Sequence, residues 1–123
     1  EVQNELDIYI YSGGYDAWSA TYWIEEMKET FGENTWEPVI QGKKTLSGPM
    51  KALGADLEKK IINYSNNPIL KWCLTNTAVD IDKNDNIQPI KTSNQRRRID
   101  GLASLLDAYV QYERVKEDYE SII

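Results

Sequence analysis

A chain of 123 residues with 41% hydrophobic content is the size of one domain and can bury one real core. Its 20 acidic against 14 basic side chains leave a net charge of -6, which excludes indiscriminate attraction to polyanions, so any nucleic-acid contact must be local. The lack of histidine excludes Ser-His and Cys-His catalysis and the commonest zinc ligand, and the single cysteine, Cys73, excludes a disulfide framework.

No apolar run approaches the roughly 20 residues of a membrane span, and the first residues do not resemble a signal peptide. A soluble chain in a reducing, cytoplasmic setting is the expectation. Carboxylate oxygens are the donors left for metal chemistry.

In chain order, Ile8 to Tyr11 is β-branched and aromatic on both faces and predicts a central strand that Gly13-Gly14 ends. Residues 17–31 predict a helix with Trp18, Tyr22, Met27 and Phe31 on one stripe and Gly32 as its stop. Trp36 to Ile40 predicts a short second strand, at an edge because Pro38 lacks an amide donor. Ser47-Gly48-Pro49 predicts a helix opening, followed by a buried stripe of Met50, Leu53, Leu57 and Ile61.

Asn66-Asn67-Pro68 breaks the chain, and Ile69 to Leu74 predicts one or two helical turns. Thr77 to Ile81 and Ile87 to Ile90 flank a polar turn and predict a hairpin. The last helix is expected from Asp100 to about Tyr119. Alternating strands and helices closed by a hairpin and a long helix indicate an α/β layered domain. The four tryptophans are read as core filling.

Three groups of residues invite a chemical reading. Asp80 to Asn86, "DIDKNDN", has the acids and amides of a calcium loop, but Asp85 stands where glycine is required and Lys91 where glutamate is required, so it is read as a turn. Asp16 follows the predicted strand, and Asp100 opens the last helix behind Arg96, Arg97 and Arg98. Each acid can be an ordinary helix cap, and the arginines a solvated loop. Equally, two carboxylates at helix mouths can hold Mg²⁺ or Mn²⁺, with the cluster of Lys91, Arg96, Arg97 and Arg98 beside them to hold phosphate. Asp107 shares a helical face with Asp100 but lies about 10 Å along the axis, too far to share one ion.

The strings "YDAWSA" at 15–20, "QGKKTLSGPMKALGADLEKKII" at 41–62, "NPILKWCLTN" at 67–76, "DKNDNIQPIK" at 82–91 and "RIDGLASLLDAYV" at 98–110 together resemble the C-terminal nuclease region of phage and prophage large terminase subunits. The resemblance runs in register over about residues 8–113, and the pairing of Tyr-Asp-x-Trp with a later Ile-Asp-Gly is its most specific part. It implies an RNase H-like, three-layer α/β fold, partial here, with a C-terminal hairpin and long helix, the whole of residues 1–123 forming one domain. It further implies an endonuclease that uses two divalent ions, Mg²⁺ or Mn²⁺, to cut double-stranded DNA during genome packaging in the host cytoplasm.

Carried over residue by residue, Asp16 and Asp100 match the family's metal-binding, catalytic acids and Lys91 a family lysine, while Asp107 has no counterpart. The family's first strand, with a further metal-binding aspartate, is expected to be missing, as is the ATPase half, since no phosphate loop of the Gly-x-x-x-x-Gly-Lys type occurs. Weak or no activity is therefore expected of the chain alone. The partners implied are DNA, the portal and the small terminase subunit, with self-association through an exposed sheet edge. The alternative is a noncatalytic assembly module of the packaging complex.

Overall fold

The structure is a computed structural model that describes residues 5–6, 9–18, 20–91 and 98–123. In order, these form β1 (Gly13–Tyr15), α1 (Ile24–Phe31), β2 (Trp36–Pro38), α2 (Lys43–Glu58), α3 (Pro68–Thr75), β3 (Thr77–Ile81), β4 (Ile87–Lys91) and α4 (Asp100–Ile122). Strands β1 and β2 pair in parallel around α1, with Gly13 opposite Trp36 and Tyr15 opposite Pro38. Strands β3 and β4 pair antiparallel, with Thr77 opposite Lys91 and Ile81 opposite Ile87. Among the described residues the strands make two separate two-stranded sheets, and the α/β layering comes from helices packed against them.

The second half follows the sequence grammar closely. The Asn67 side chain accepts hydrogen bonds from the amides of Ile69 and Leu70 and so caps α3, whose first residue is Pro68. The hairpin turn is closed by Asp82, whose carboxylate accepts from the amides of Asn84 and Asn86, while Asp85 takes a φ of 62°. These bonds hold the Asp82 carboxyl below the usual carboxylate range. "DKNDN" is thus a turn, as its sequence indicates.

The first half departs from it. Ile8 lies outside the described residues, Tyr9, Ile10 and Tyr11 are exposed and in no strand, and among the described residues β1 starts at Gly13, where the ring of Trp36 lies so close that a Cβ would come within 2.3 Å of it. The glycines expected to end the strand are therefore its body. Side-chain volume, not β propensity, decides the register here. The expected helix over 17–31 is a helix only from Ile24, and Trp18 and Tyr22 are 91% and 99% exposed. Turns stand at 17–18 and 21–23, with the Ala20 amide bonded to the Asp16 carbonyl and the Ile24 amide to that of Ala20.

The tryptophans are not core residues: Trp23 and Trp72 are exposed, and Trp36 is only half-buried. Helix α2 begins at Lys43 rather than at Ser47, leaving Pro49 inside it. Ser47 is buried, and its hydroxyl accepts from the Ile87 amide, so it fastens the hairpin instead of capping the helix. An ion pair of 2.8 Å between Lys43 and Asp80 and a bond from Lys51 Nζ to the Asp85 carbonyl add to that attachment. Of the predicted stripe, Leu53 is buried and Met50 and Leu57 pack on the core, but Ile61 lies beyond the helix and is exposed.

The core is one face of α4 set against α2. Leu102, Leu106, Tyr109 and Val110 close on Leu46, Leu53 and Val39. Their spacing, with intervals of three and four, is that of a buried helical stripe. Tyr109 also donates to Asp56 at 2.6 Å, and burial together with this bond pushes its phenol above the ordinary range.

The neighbouring face of α4 carries β1. A Cβ placed on Gly14 would lie 2.5 Å from the Asp107 carbonyl oxygen and 3.0 Å from Val39. Because that obstacle is backbone, Gly14→Ala is expected to force β1 off α4 and to destabilise the chain by about 1–3 kcal/mol, the usual range for overpacking. Urea unfolding followed by circular dichroism checks this, with Gly48→Ala, which meets no atom within 4 Å, as the control.

Candidate functional site

Asp100, Ala103, Ser104 and Asp107 fall at i, i+3, i+4 and i+7 on α4, so helical geometry alone sets them in one row. The end of β1 runs across that row, and its next residue is Asp16. Between them lies a cavity of about 430 Å³ whose walls include Asp16, Asp100, Asp107, Ser104, Gln41 and Trp36. Its described walls hold three carboxylates and no lysine or arginine. The indole N–H of Trp36, which also lines it, is buried and finds no acceptor among the described residues.

Asp16 does not cap a helix, since α1 starts eight residues later. Its Oδ1 accepts from the Trp18 amide at 3.0 Å, which closes a tight turn directly after β1. Asp100 does not cap one either. It is the first residue of α4, the cap position belongs to Ile99, and no side chain caps that end. The ordinary role offered to both acids by local sequence is therefore not the one they play.

The Ile-Asp-Gly string has a packing explanation. Ile99 is buried, Asp100 is exposed, and Gly101 faces α3 so closely that a Cβ would stand 3.1 Å from Cys73 Sγ and 3.2 Å from Leu70. The first turn of α4 is pressed against α3, and the residue between the buried and the small one is left at the surface of the cavity.

Asp107, set aside on distance along the helix, borders the same cavity as Asp16 and Asp100. Sharing a cavity is not sharing an ion, for among the described residues no three acids stand close enough to grip one together. Half-buried, Asp107 accepts from Gln41 Nε2 at 3.2 Å, while the same Nε2 donates to the Val39 carbonyl. Burial raises its proton affinity, the Gln41 bond opposes that, and the Asp16 charge raises it further. The signal for Asp107 was in the sequence as the i+7 repeat of Asp100; what was missing was the strand that crosses at that point.

The basic residues are less gathered. Arg98 is exposed, with its backbone carbonyl held by the buried Asn76 side chain at 3.0 Å, and it borders a second cavity together with Asp100. Lys91 ends β4, and its side chain lies outside the described residues, as do Arg96 and Arg97 entirely.

As a donor set, hard carboxylate oxygens with no competing cation suit Mg²⁺ or Mn²⁺. Among the described residues no three acids, cysteines or histidines stand close enough to grip an ion as a group. An ion held by one or two of these carboxylates would complete its shell with water, as Mg²⁺ commonly does. Asp16 and Asp100 are the ones that could hold it, with Asp107 beside them. No helix of the described residues is long and apolar enough to cross a membrane.

Comparison with known proteins adds to this geometry. The family described as "Terminase large subunit, endonuclease domain" matches residues 8–116. The protein YmfN of Escherichia coli (strain K12) is 35% identical over 72 residues, which is 57% of this chain and 16% of that protein. The crystal structure of the HK97 bacteriophage large terminase superposes with a TM-score of 0.62 at 18% identity, over 80% of this chain and 20% of that one, a likeness of fold. The chain thus spans about a fifth or less of the length of these relatives.

Asp107 yields a pH-dependent expectation. A carboxyl whose folded proton affinity is raised favours the folded state when protonated, so its contribution is fully present below the unfolded value of about 3.9 and is lost as pH rises through the folded one. Asp107→Asn keeps an oxygen for Gln41 and removes the charge. It is expected to stabilise the chain at pH 7 and not at pH 3. Thermal melts of both forms at the two pH values check it.

Proposed function

The chain belongs to the family of terminase large subunit endonuclease domains, and from that premise we propose that it is a divalent-metal-dependent nuclease module of RNase H-like fold that hydrolyses phosphodiester bonds of double-stranded DNA during genome packaging. One observation carries the reading on this chain: Asp16 and Asp100, 84 positions apart and the two acids of the family-like motifs, border one cavity together with a third acid. Residues 1–123 are taken as one domain of a longer packaging protein acting in the host cytoplasm, with the portal and small terminase subunit as its assembly partners.

When bound there, Mg²⁺ or Mn²⁺ supplies Lewis acidity toward the phosphoryl oxygens and a low-pKa water. Asp16 and Asp100 present the carboxylates that hold it. The bond from the Trp18 amide fixes the Asp16 carboxylate in orientation, and the contact of Gly101 with α3 fixes the backbone of Asp100. Asp107 shares its field with Asp16, so neutralising Asp16 lowers the proton affinity of Asp107. Arg98 offers a phosphate a charge-assisted contact beside Asp100, and the proposal counts Lys91, Arg96 and Arg97 among the DNA-binding residues from their sequence positions.

The assembly-module reading is favoured by a different observation, the near-complete exposure of Trp18 and Tyr22 directly after Asp16. Mn²⁺ titration followed by NMR line broadening separates the two. The nuclease reading expects Asp16→Asn and Asp100→Asn each to weaken Mn²⁺ binding by at least about tenfold, more than outer-shell changes commonly do at the low end. Equal broadening in all three proteins would remove both acids from the site. Plasmid nicking that needs Mn²⁺ and disappears in Asp100→Asn supports the enzymatic claim; nicking that persists counts against it.

A further inference from the structure

We propose that the second cavity bordered by Asp100 binds an unpaired deoxynucleotide of the DNA strand beside the cut; this deepens, and rests on, the nuclease reading. The cavity, of about 650 Å³, is walled by Ile69, Leu70, Trp72, Arg98, Asp100 and Gly101 among others. That volume lies within the range of small-molecule sites, roughly 300–1,000 Å³. Its chemistry is two-sided. Ile69, Leu70 and Trp72 make an apolar wall, with Trp72 45% and Ile69 71% exposed although neither belongs to the core. Arg98 stands on the border as an exposed cation with no ion-pair partner among the described residues.

A nucleotide has the same division. Its base has an apolar face that stacks on an indole with little regard to sequence, and its phosphate needs a cation. A purely apolar peptide segment would leave Arg98 unmatched. A base still paired within a duplex has both faces stacked and cannot enter a groove, so the occupant is an unpaired nucleotide, as at the frayed or overhanging end that a cut creates.

Position argues for the cut strand. Asp100 is a wall of both cavities, so a phosphate in the acidic one and a base in the apolar one would be neighbours along one chain. The geometry is rigid on the protein side. The Asn76 side chain fixes the Arg98 carbonyl, Asn67 caps the helix that carries Trp72, and Gly101 lets that helix approach Asp100.

The test is fluorescence anisotropy of labelled duplexes in Ca²⁺ buffer, one blunt and one with a single-stranded overhang. Trp72→Ala is expected to weaken binding of the overhang duplex on the order of tenfold while blunt duplex stays within about twofold, and Trp72→Phe to restore most of the loss. Trp72→Leu, which keeps apolar bulk without a strong stacking face, is expected to behave as Trp72→Ala and stands in for it should that variant unfold. Arg98→Gln is expected to flatten the salt dependence. Unchanged overhang binding in Trp72→Ala and Trp72→Leu, or equal loss on both duplexes, would overturn the proposal and leave the groove to a protein segment. Failure of the parent chain to bind either duplex would overturn it too, and the Mn²⁺ titration would still judge Asp16 and Asp100 separately.

Discussion

The architecture turns on one close crossing, where the backbone of β1 at Gly14 meets the backbone of α4 at Asp107 with no room for a Cβ between them. Everything on the polar side of α4 follows from it. Above the crossing, Asp100, Ser104 and Asp107 face the end of β1 and Asp16. Below it, the same face continues through Gln111, which is buried and donates to Ser12 Oγ at 2.7 Å, and Arg114, which donates to the Pro38 carbonyl at 3.0 Å. The intervals 100, 104, 107, 111 and 114 are those of a single helical stripe. Helix α4 thus has an apolar seam that builds the core and a polar seam that grips the β1–β2 sheet, and the candidate site is the end of the polar seam where the sheet runs out.

The crossing also explains a division of labour between the two small-residue motifs. Gly14 lets a strand lie on α4, and Gly101 lets α3 lie on its first turn. Asp16 and Asp100 each sit one or two residues from one of these contacts, so both carboxylates are borne on backbone that packing has fixed. Longer side chains at either glycine would leave the acids in the sequence and remove the packing that sets both on one cavity.

How much of this could be read beforehand varied by element. The cap at Asn67, the hairpin from Thr77 to Lys91 and the core stripe of α4 rest on local signals, side-chain oxygens at turns and period 3.6, and they form where those signals lie. The start of α2 was misplaced because Ser47 looks like a cap and serves a partner 40 residues away. Strand β1 was misplaced because Ile8 to Tyr11 has strand-like side chains while pairing was decided by the flatness of Gly13 beneath Trp36. Both are cases in which a tertiary contact outweighs local propensity. Asp16 and Asp100 stand out together as acids at predicted helix mouths, and the family resemblance pairs them; no periodicity links them. Asp107 needed the crossing itself.

The charge pattern then bears on how an acidic chain could handle a polyanion. Three carboxylates around one cavity, with no lysine or arginine among its described walls, present a phosphate with repulsion at short range, and the net charge of -6 offers no long-range attraction to offset it. A phosphate entering this cavity would need the carboxylate charge offset, which is the electrostatic support for the metal-dependent reading proposed above. The raised proton affinity of Asp107 comes first from its burial, with the Asp16 charge adding to it against the opposing Gln41 bond. Arg98 borders the second cavity together with Asp100, so among the described residues it sets an exposed cation beside one of the acids. On the proposed reading, an approach along that border passes from an exposed cation to a cavity whose access depends on its charge state rather than on its shape.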